Sequence, residues 1–306
     1  MQTILLVLFI LFSALTLLGF LGKFWWRFKI ADFPRLHYAI ALSLIGLTCV
    51  YYDMPIVATA AVMLSFLNLW RIRHYIVRRK RHAHGTGLKL MSVNAYKKND
   101  EPHALRSYLD KQSPDILLVM EMNDCLQAWL ASHLEEYPHK QETYVRDGFR
   151  IALFSKIPLK NEKIFYLGED ETPLLTAQIT FDGQDYNLFS AHPKPAISPS
   201  YAHSRDTYFH EITPYFKKAK NPVIAMGDFN SVPWEEHFET FLEDAGLVST
   251  LRDLPYTITW PTYTPFLGIP MDHILVSQNV EHGYLARGPY IGSDHYPIHL
   301  CLLEKE

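Results

Sequence analysis

Eight polar residues stand at the ends of short apolar runs: Asn94, Glu121, His192, Asp228, Asn230, Asp272, Asp294 and His295. Turn preference accounts for an Asn or an Asp singly. It accounts poorly for a glutamate, two histidines and three aspartates at the same kind of position. The carboxylates of Glu121, Asp228 and Asp294 and the amides of Asn94 and Asn230 are hard oxygen donors, suited to Mg²⁺ or Mn²⁺ rather than zinc. Mg²⁺ is usually held by one or two carboxylates, so some of the five are expected to orient others or to contact a phosphate. Asp272 and the pair Asp294-His295 add a second element, because a histidine fixed by a carboxylate can take a proton from water. His192 is suited to donate a hydrogen bond to charge developing on phosphorus. A cation on phosphoryl oxygens together with an activated water amounts to phosphoester hydrolysis.

The elements that must position these groups alternate between strands and helices. Residues 88–93 read as a strand ending at Asn94, and residues 101–111 as a helix. The run DILLVM at 115–120 reads as a buried strand ending at Glu121. Asn123 is placed to cap a helix reaching about residue 133. Residues 150–154, 176–181 and 186–190 read as strands, the last ending at His192. A helix over 201–218 should kink or divide at Pro214. Residues 223–226 form a buried strand before Asp228. Pro233 and Gly246 frame the next helix, and 257–260, 273–276 and 296–303 supply later strands. Strand ends opening on one crevice are where α/β proteins assemble sites.

In order along the chain, Asn94 in SVNAY, Glu121, His192 in AHP, Asp228 and Asn230 in GDFN, Asp272 in MDHIL, and Asp294 and His295 in SDHYP resemble the motifs of the endonuclease/exonuclease/phosphatase superfamily. GFRIALFSKIP at 148–158 is similar to the central strand of that family. The resemblance implies a four-layer α/β sandwich, two mixed β-sheets face to face with helices outside. It implies Glu121 as principal metal ligand, assisted by Asn94 and Asp294. Asp228 and Asn230 would orient water and hold the phosphate, and His295, oriented by Asp272, would be the base or the transition-state partner. Met120 departs from the glutamine that often precedes the family's glutamate. A clear basic, aromatic-rich counterpart of the loops that contact nucleic acid in abasic-site endonucleases is missing.

Residues 1–85 carry ten of the 29 Lys/Arg and two of the 32 Asp/Glu, a net +8 that leaves −11 on residues 86–306. An acidic domain is a poor non-specific binder of nucleic acid, although a bound cation offsets several acids locally. Cys49, Cys125 and Cys301 form neither a CxxC nor a zinc spacing, so no disulfide framework is expected. Three apolar runs, 4–21, 36–52 and 54–70, are each about 17 or 18 residues long, near the short end of what spans a bilayer. A cleaved signal peptide fits the first poorly, since no basic side chain precedes it. Lys23, Arg27, Lys29 and Arg35 follow the first run, and Arg71, Arg73, Arg78, Arg79, Lys80 and Arg81 follow the third. With three spans, the positive-inside rule puts the C-terminal part in the cytoplasm. The segment 71–81 also reads as an interfacial helix with Ile72, Tyr75 and Ile76 on its apolar side, and 85–87 as a linker.

The sequence therefore predicts a transmembrane anchor over 1–85 and a catalytic domain over 86–306. The expectation is an integral membrane protein, of a cell inner membrane, hydrolysing a phosphodiester or phosphomonoester with Mg²⁺ or Mn²⁺. A lipid-derived or small-molecule phosphoester is favoured. A nuclease acting on DNA or RNA and a non-catalytic membrane-bound binding module are the alternatives. Neither GxxxxGK[ST] nor GxSxG occurs, which leaves P-loop NTPase and serine hydrolase chemistry without support.

Overall fold

The runs ILLVM, IALFS and VIAMGD are buried at every residue, as strands covered on both faces must be. The computed structural model describes residues 1–77, 87–99, 102–133, 135–143, 150–283 and 285–304. Outside these lie Arg78, Arg79, Lys80 and Arg81, His82 and His84, Gly85 and Thr86 of the expected linker, Glu101, and the first two residues of the 148–158 motif.

The chain opens with four helices, α1 (Gln2–Gly19), α2 (Trp26–Asp32), α3 (Arg35–Tyr51) and α4 (Pro55–Arg71). There follow β1 (Gly87–Asn94), α5 (Pro102–Gln112), β2 (Ile116–Met120), α6 (Asp124–His133), β3 (His139–Thr143), β4 (Ile151–Ser155), β5 (Lys160–Leu167), β6 (Thr172–Phe181) and β7 (Gln184–Ala191). Then come α7 (Pro199–Lys217), β8 (Val223–Asp228), α8 (Glu236–Ala245), β9 (Leu247–Ser249), β10 (Asp272–Ser277), β11 (Ala286–Arg287) and β12 (Ile298–Leu303). One sheet has the order β11-β12-β1-β2-β4-β3, the other β5-β6-β7-β8-β10-β9. In each the central pair, β1–β2 and β7–β8, is parallel and its flanking pairs are antiparallel.

Alternation along the strands sorts the core into layers. Leu90, Leu118, Met120 and Leu153 pack with Ala177, Leu188, Met226 and Ile274 between the sheets. Met91, Val93, Leu117 and Val119 point the other way, against Leu105 of α5 and Leu126 and Leu130 of α6. Phe189, Ala225 and Leu275 meet Phe209 and Phe216 of α7 and Phe238 and Phe241 of α8. The result is two mixed sheets flanked by helices. Gly227 permits the β7–β8 approach, since a Cβ there would lie 1.8 Å from the Ala191 carbonyl oxygen.

Several local expectations are corrected. Helix α7 runs unbroken through Pro214, with the Pro214 carbonyl accepting from Lys218 N at 3.1 Å. Pro233 lies before α8 rather than in its first turn, whereas Gly246 ends it in the left-handed conformation, φ 68°. Residues 257–260 form no strand, and Trp260 makes only an isolated bridge to Ile269. Strands β3, β5, β9 and β11 were not expected, because their alternation is weak or their length short.

At the N-terminus α1 is long and apolar enough to cross a membrane. Helices α2 and α3, bent by 64° at their junction, qualify only as a pair, and α4 is a shorter apolar helix. Among the described residues the count by length and composition is one, or two with the bent pair, against the three spans expected. Segment 73–75 is a 3₁₀ turn. Ile72 and Tyr75, expected to face lipid, are buried in the inter-sheet core together with Phe33 and Trp234. Contacts therefore cross the expected 85/86 boundary: Trp234 Nε1 donates to Asp32 O at 2.9 Å, Tyr75 OH to Pro233 O at 3.2 Å, and Arg71 pairs with Glu239 at 2.7 Å.

Candidate active site

The parallel pairs β1–β2 and β7–β8 carry their C-terminal ends to one edge, which brings Asn94, Glu121, His192 and Asp228 together. Asn94 Nδ2 donates to Glu121 Oε1 and to Asp228 Oδ2, both at 3.1 Å, so one amide ties the two sheets. Its Oδ1 accepts from Tyr96 N at 3.1 Å. Glu121 follows β2 with φ 55°, a strained left-handed backbone for a residue with a Cβ. That conformation turns its carboxylate to the cleft. His192 Nε2 lies 3.6 Å from Glu121 Oε1 and 3.8 Å from Asp228 Oδ2.

Asp228 ends β8. Its Oδ1 accepts from Asn230 N at 2.9 Å, and Asn230, with φ 50°, donates Nδ2 to Pro193 O at 2.9 Å. Antiparallel register sets Asp272 opposite Asp228. Asp272 Oδ2 takes a hydrogen bond from His295 Nδ1 at 2.8 Å, while His295 Nε2 lies 3.6 Å from Asp228 Oδ2. Asp294 Oδ2 accepts from Trp260 Nε1 at 3.3 Å, and its Oδ1 is buried with no hydrogen-bond partner among the described residues. All eight residues singled out in the sequence thus converge on one cleft. Glu121, His192 and Asp228, and again Asp228, Asp272 and His295, offer ligand atoms within 4.8 Å of one another.

A profile of the Endonuclease/Exonuclease/phosphatase family matches residues 91–295, which includes every one of these groups. This chain belongs to that family. Among curated proteins none matches the sequence. Solved structures similar to this family member include D. rerio TDP2 complexed with a single-strand DNA product, at TM-score 0.59 and 19% identity over 70% of this chain and 98% of that one. A second is the 3' phosphatase NExo from Neisseria bound to product DNA hairpin, at TM-score 0.57 and 17% identity, covering 70% and 99%. A third is an AP endonuclease from Archaeoglobus fulgidus, at TM-score 0.57 and 16% identity, covering 70% and 99%. At these identities the likeness shows the fold.

Burial dominates the electrostatics of the cleft. It raises Asp228 to about 7, with the His295 charge opposing and Asp272 reinforcing the rise. Burial pulls His295 down, but the charges of Asp272 and Asp228 outweigh it and hold the imidazole up at about 10. His192 is pushed down by burial and stays neutral near pH 7. Burial raises Asp294, and the nearby Glu121 charge adds to the rise.

Three supporting residues were not singled out in the sequence, and a fourth, Met120, was noted only as a departure from the family pattern. Ser293 Oγ donates to Asn94 O at 2.7 Å and accepts from His295 N at 3.0 Å. Thr259 Oγ1 accepts from the backbone of Met271 and Asp272. Trp260 holds Asp294. Met120 Sδ accepts from Asp228 N at 3.2 Å, linking the two sheets from the position where the family often has glutamine. Ser293 lies within the SDHYP motif, so adjacency was a usable signal. Thr259, Trp260 and Met120 act across the fold and carry none.

Proposed function

We propose that the protein is a divalent-metal-dependent phosphoesterase held on a membrane by its N-terminal helices. The observation that carries the chemistry is His295 bracketed by Asp272 and Asp228, beside the carboxylates of Glu121 and Asp294. The donor set fits a hard cation: the Glu121 carboxylate is partly exposed beside His192, and Asp294 keeps a buried oxygen with no hydrogen-bond partner among the described residues. Glu121 and Asp294 would hold Mg²⁺ or Mn²⁺. Asn94, its Nδ2 turned to Glu121 and Asp228, orients the carboxylates. Such a cation, when bound, supplies positive charge against the phosphoryl oxygens.

The residues divide the remaining work by their protonation. Asp228, raised to about 7, is poised near neutral pH as the base that takes a proton from the attacking water. His295, held protonated by Asp272 and Asp228, faces the negative charge that grows on the phosphoryl group. Asp272 fixes its tautomer and orientation. Asn230 and His192 would donate to the phosphate.

Membrane attachment is supported by α1, by the bent pair α2–α3 and by the basic residues at their shared end. Asn68 near the end of α4 accepts from Arg35 at 3.1 Å, so the chain returns to that basic end, the side the positive-inside rule assigns to the cytoplasm. Full-length protein purified in detergent is expected to hydrolyse bis-p-nitrophenyl phosphate with Mg²⁺ or Mn²⁺ and to lose this on Asp228→Ala. Inactive wild type with either metal across a panel of phosphoesters overturns the proposal. A nuclease is the second reading, because two of the similar structures are bound to product DNA. It predicts nicking of plasmid DNA with steep inhibition by salt.

A further inference from the structure

We infer that the loop carrying Tyr263, Phe266 and Leu267 seats the mouth of the catalytic cleft in the headgroup region of the same bilayer that holds the helices, so that the phosphoester reaching it is borne by a lipid. The inference rests on the membrane attachment proposed above. One end of the loop belongs to the site. Thr262 N donates to Asp294 O at 2.9 Å, Thr262 Oγ1 to Ser293 O at 2.8 Å, and Trp260 Nε1 to Asp294 Oδ2 at 3.3 Å. The other end belongs to the anchor, where His37 Nε2 donates to Phe266 O at 3.0 Å.

His37 lies in the first turn of α3, and positions 37, 40, 44, 47 and 51 form one stripe of that helix. Along it Ile40, Leu44, Leu47 and Tyr51 are exposed, the face an anchoring helix presents to lipid. Three residues rise about 4.5 Å along a helix, so Phe266 stands roughly one turn from the first lipid-facing side chain. Beside that position the loop leaves its own apolar groups uncovered: Phe266 is 76% exposed, Tyr263 69% and Leu267 55%. A cleft for a water-borne substrate gains nothing from large apolar side chains on its rim. A bilayer continuous with the α3 stripe covers them. Phe24 and Trp25, exposed ahead of α2 with Lys23 and Arg27 stacked on their rings, supply the aromatic and basic groups that sit at a headgroup boundary.

The test uses full-length protein in vesicles of phosphatidylcholine and phosphatidylglycerol, with Cys49, Cys125 and Cys301 replaced by serine. A nitroxide is attached at Leu267→Cys, at Leu44→Cys or at Glu162→Cys, and hydrolysis of bis-p-nitrophenyl phosphate reports that each labelled protein is folded. The Leu267 and Leu44 labels are expected to meet oxygen more than a water-soluble nickel complex, and the Glu162 label the reverse. A Leu267 label in water beside a Leu44 label in lipid overturns the inference and leaves the membrane attachment standing. Both labels in water overturn the two together. Turnover supplies the second arm. F266S/L267S is expected to lower hydrolysis of a vesicle-borne phospholipid about tenfold while leaving the soluble ester within about twofold of wild type. Equal loss on both, or a wild type that hydrolyses the soluble ester faster than every phospholipid offered, overturns the lipid-substrate assignment.

Discussion

His295 directs Nδ1 to Asp272 Oδ2 at 2.8 Å and Nε2 toward Asp228 Oδ2 at 3.6 Å. Its two ring nitrogens therefore have distinct partners, and Asp272 decides which tautomer and which charge the ring carries. Asp272→Asn keeps the shape and removes the charge. A fall in kcat of about 10²- to 10⁴-fold is expected, with little change in KM. A variant within about threefold of wild type would mean that Asp272 plays no part in setting His295.

The same pair predicts a pH profile. Hydrolysis should rise with pH through about 7 as Asp228 loses its proton. It should fall again as His295 loses its own near about 10. The two carboxylates and the imidazole interact, so these limbs belong to the group rather than to single residues. A rate independent of pH between about 6 and 8 would rule out Asp228 as the base.

Metal binding can be read without turnover. A ligand bound only by the folded state raises the unfolding temperature. Mg²⁺ or Mn²⁺ is expected to stabilise chelator-stripped wild type, and the shift should vanish in Glu121→Ala and shrink in Asp294→Ala. Equal shifts in all three proteins would move the cation elsewhere.

His273, next to Asp272, is a structural residue with its own pH signature. Its Nε2 donates to Ser231 O at 2.8 Å and its ring packs 4.7 Å from Phe238. Burial pushes it down to about 4 from 6.5. Between those values the unfolded chain binds the extra proton, so stability rises with pH. The contribution is complete above about 6.5 and is lost as pH falls toward 4, at a cost of about 3 kcal/mol. His273→Asn should reduce the difference in unfolding free energy between pH 4 and pH 7 by about that amount. Denaturant titrations at the two pH values decide it, and an unchanged difference would sink the assignment.

Gly227→Ala tests the approach of β7 and β8. The added Cβ would lie 1.8 Å from the Ala191 carbonyl oxygen, and backbone cannot yield as a side-chain tip does. A loss of at least about 3 kcal/mol is expected. Thermal unfolding measures it, and a change under about 1 kcal/mol would show that the sheet shifts freely.

The sequence by itself determined the α/β alternation and the eight cleft residues. A buried apolar segment bounded by a polar side chain, as ILLVM before Glu121 and VIAM before Asp228 show, is a local pattern. It also determined the charge asymmetry and the apolar N-terminal helices. It did not reveal β3, whose residues are all polar, or β5, whose first four are, as HKQET and KNEKIFYL show. Their strand character comes from pairing with β4 and β6. Nor could it distinguish an Ile72 and Tyr75 facing lipid from the same residues packed on Trp234, because both surroundings are apolar and demand the same residue types. Only the tertiary structure decided that, as it decided that Asp272 falls opposite Asp228 and that Ser293 ties Asn94 to His295. Register and long-range contact depend on residues far apart in the chain, and no local pattern encodes their distance.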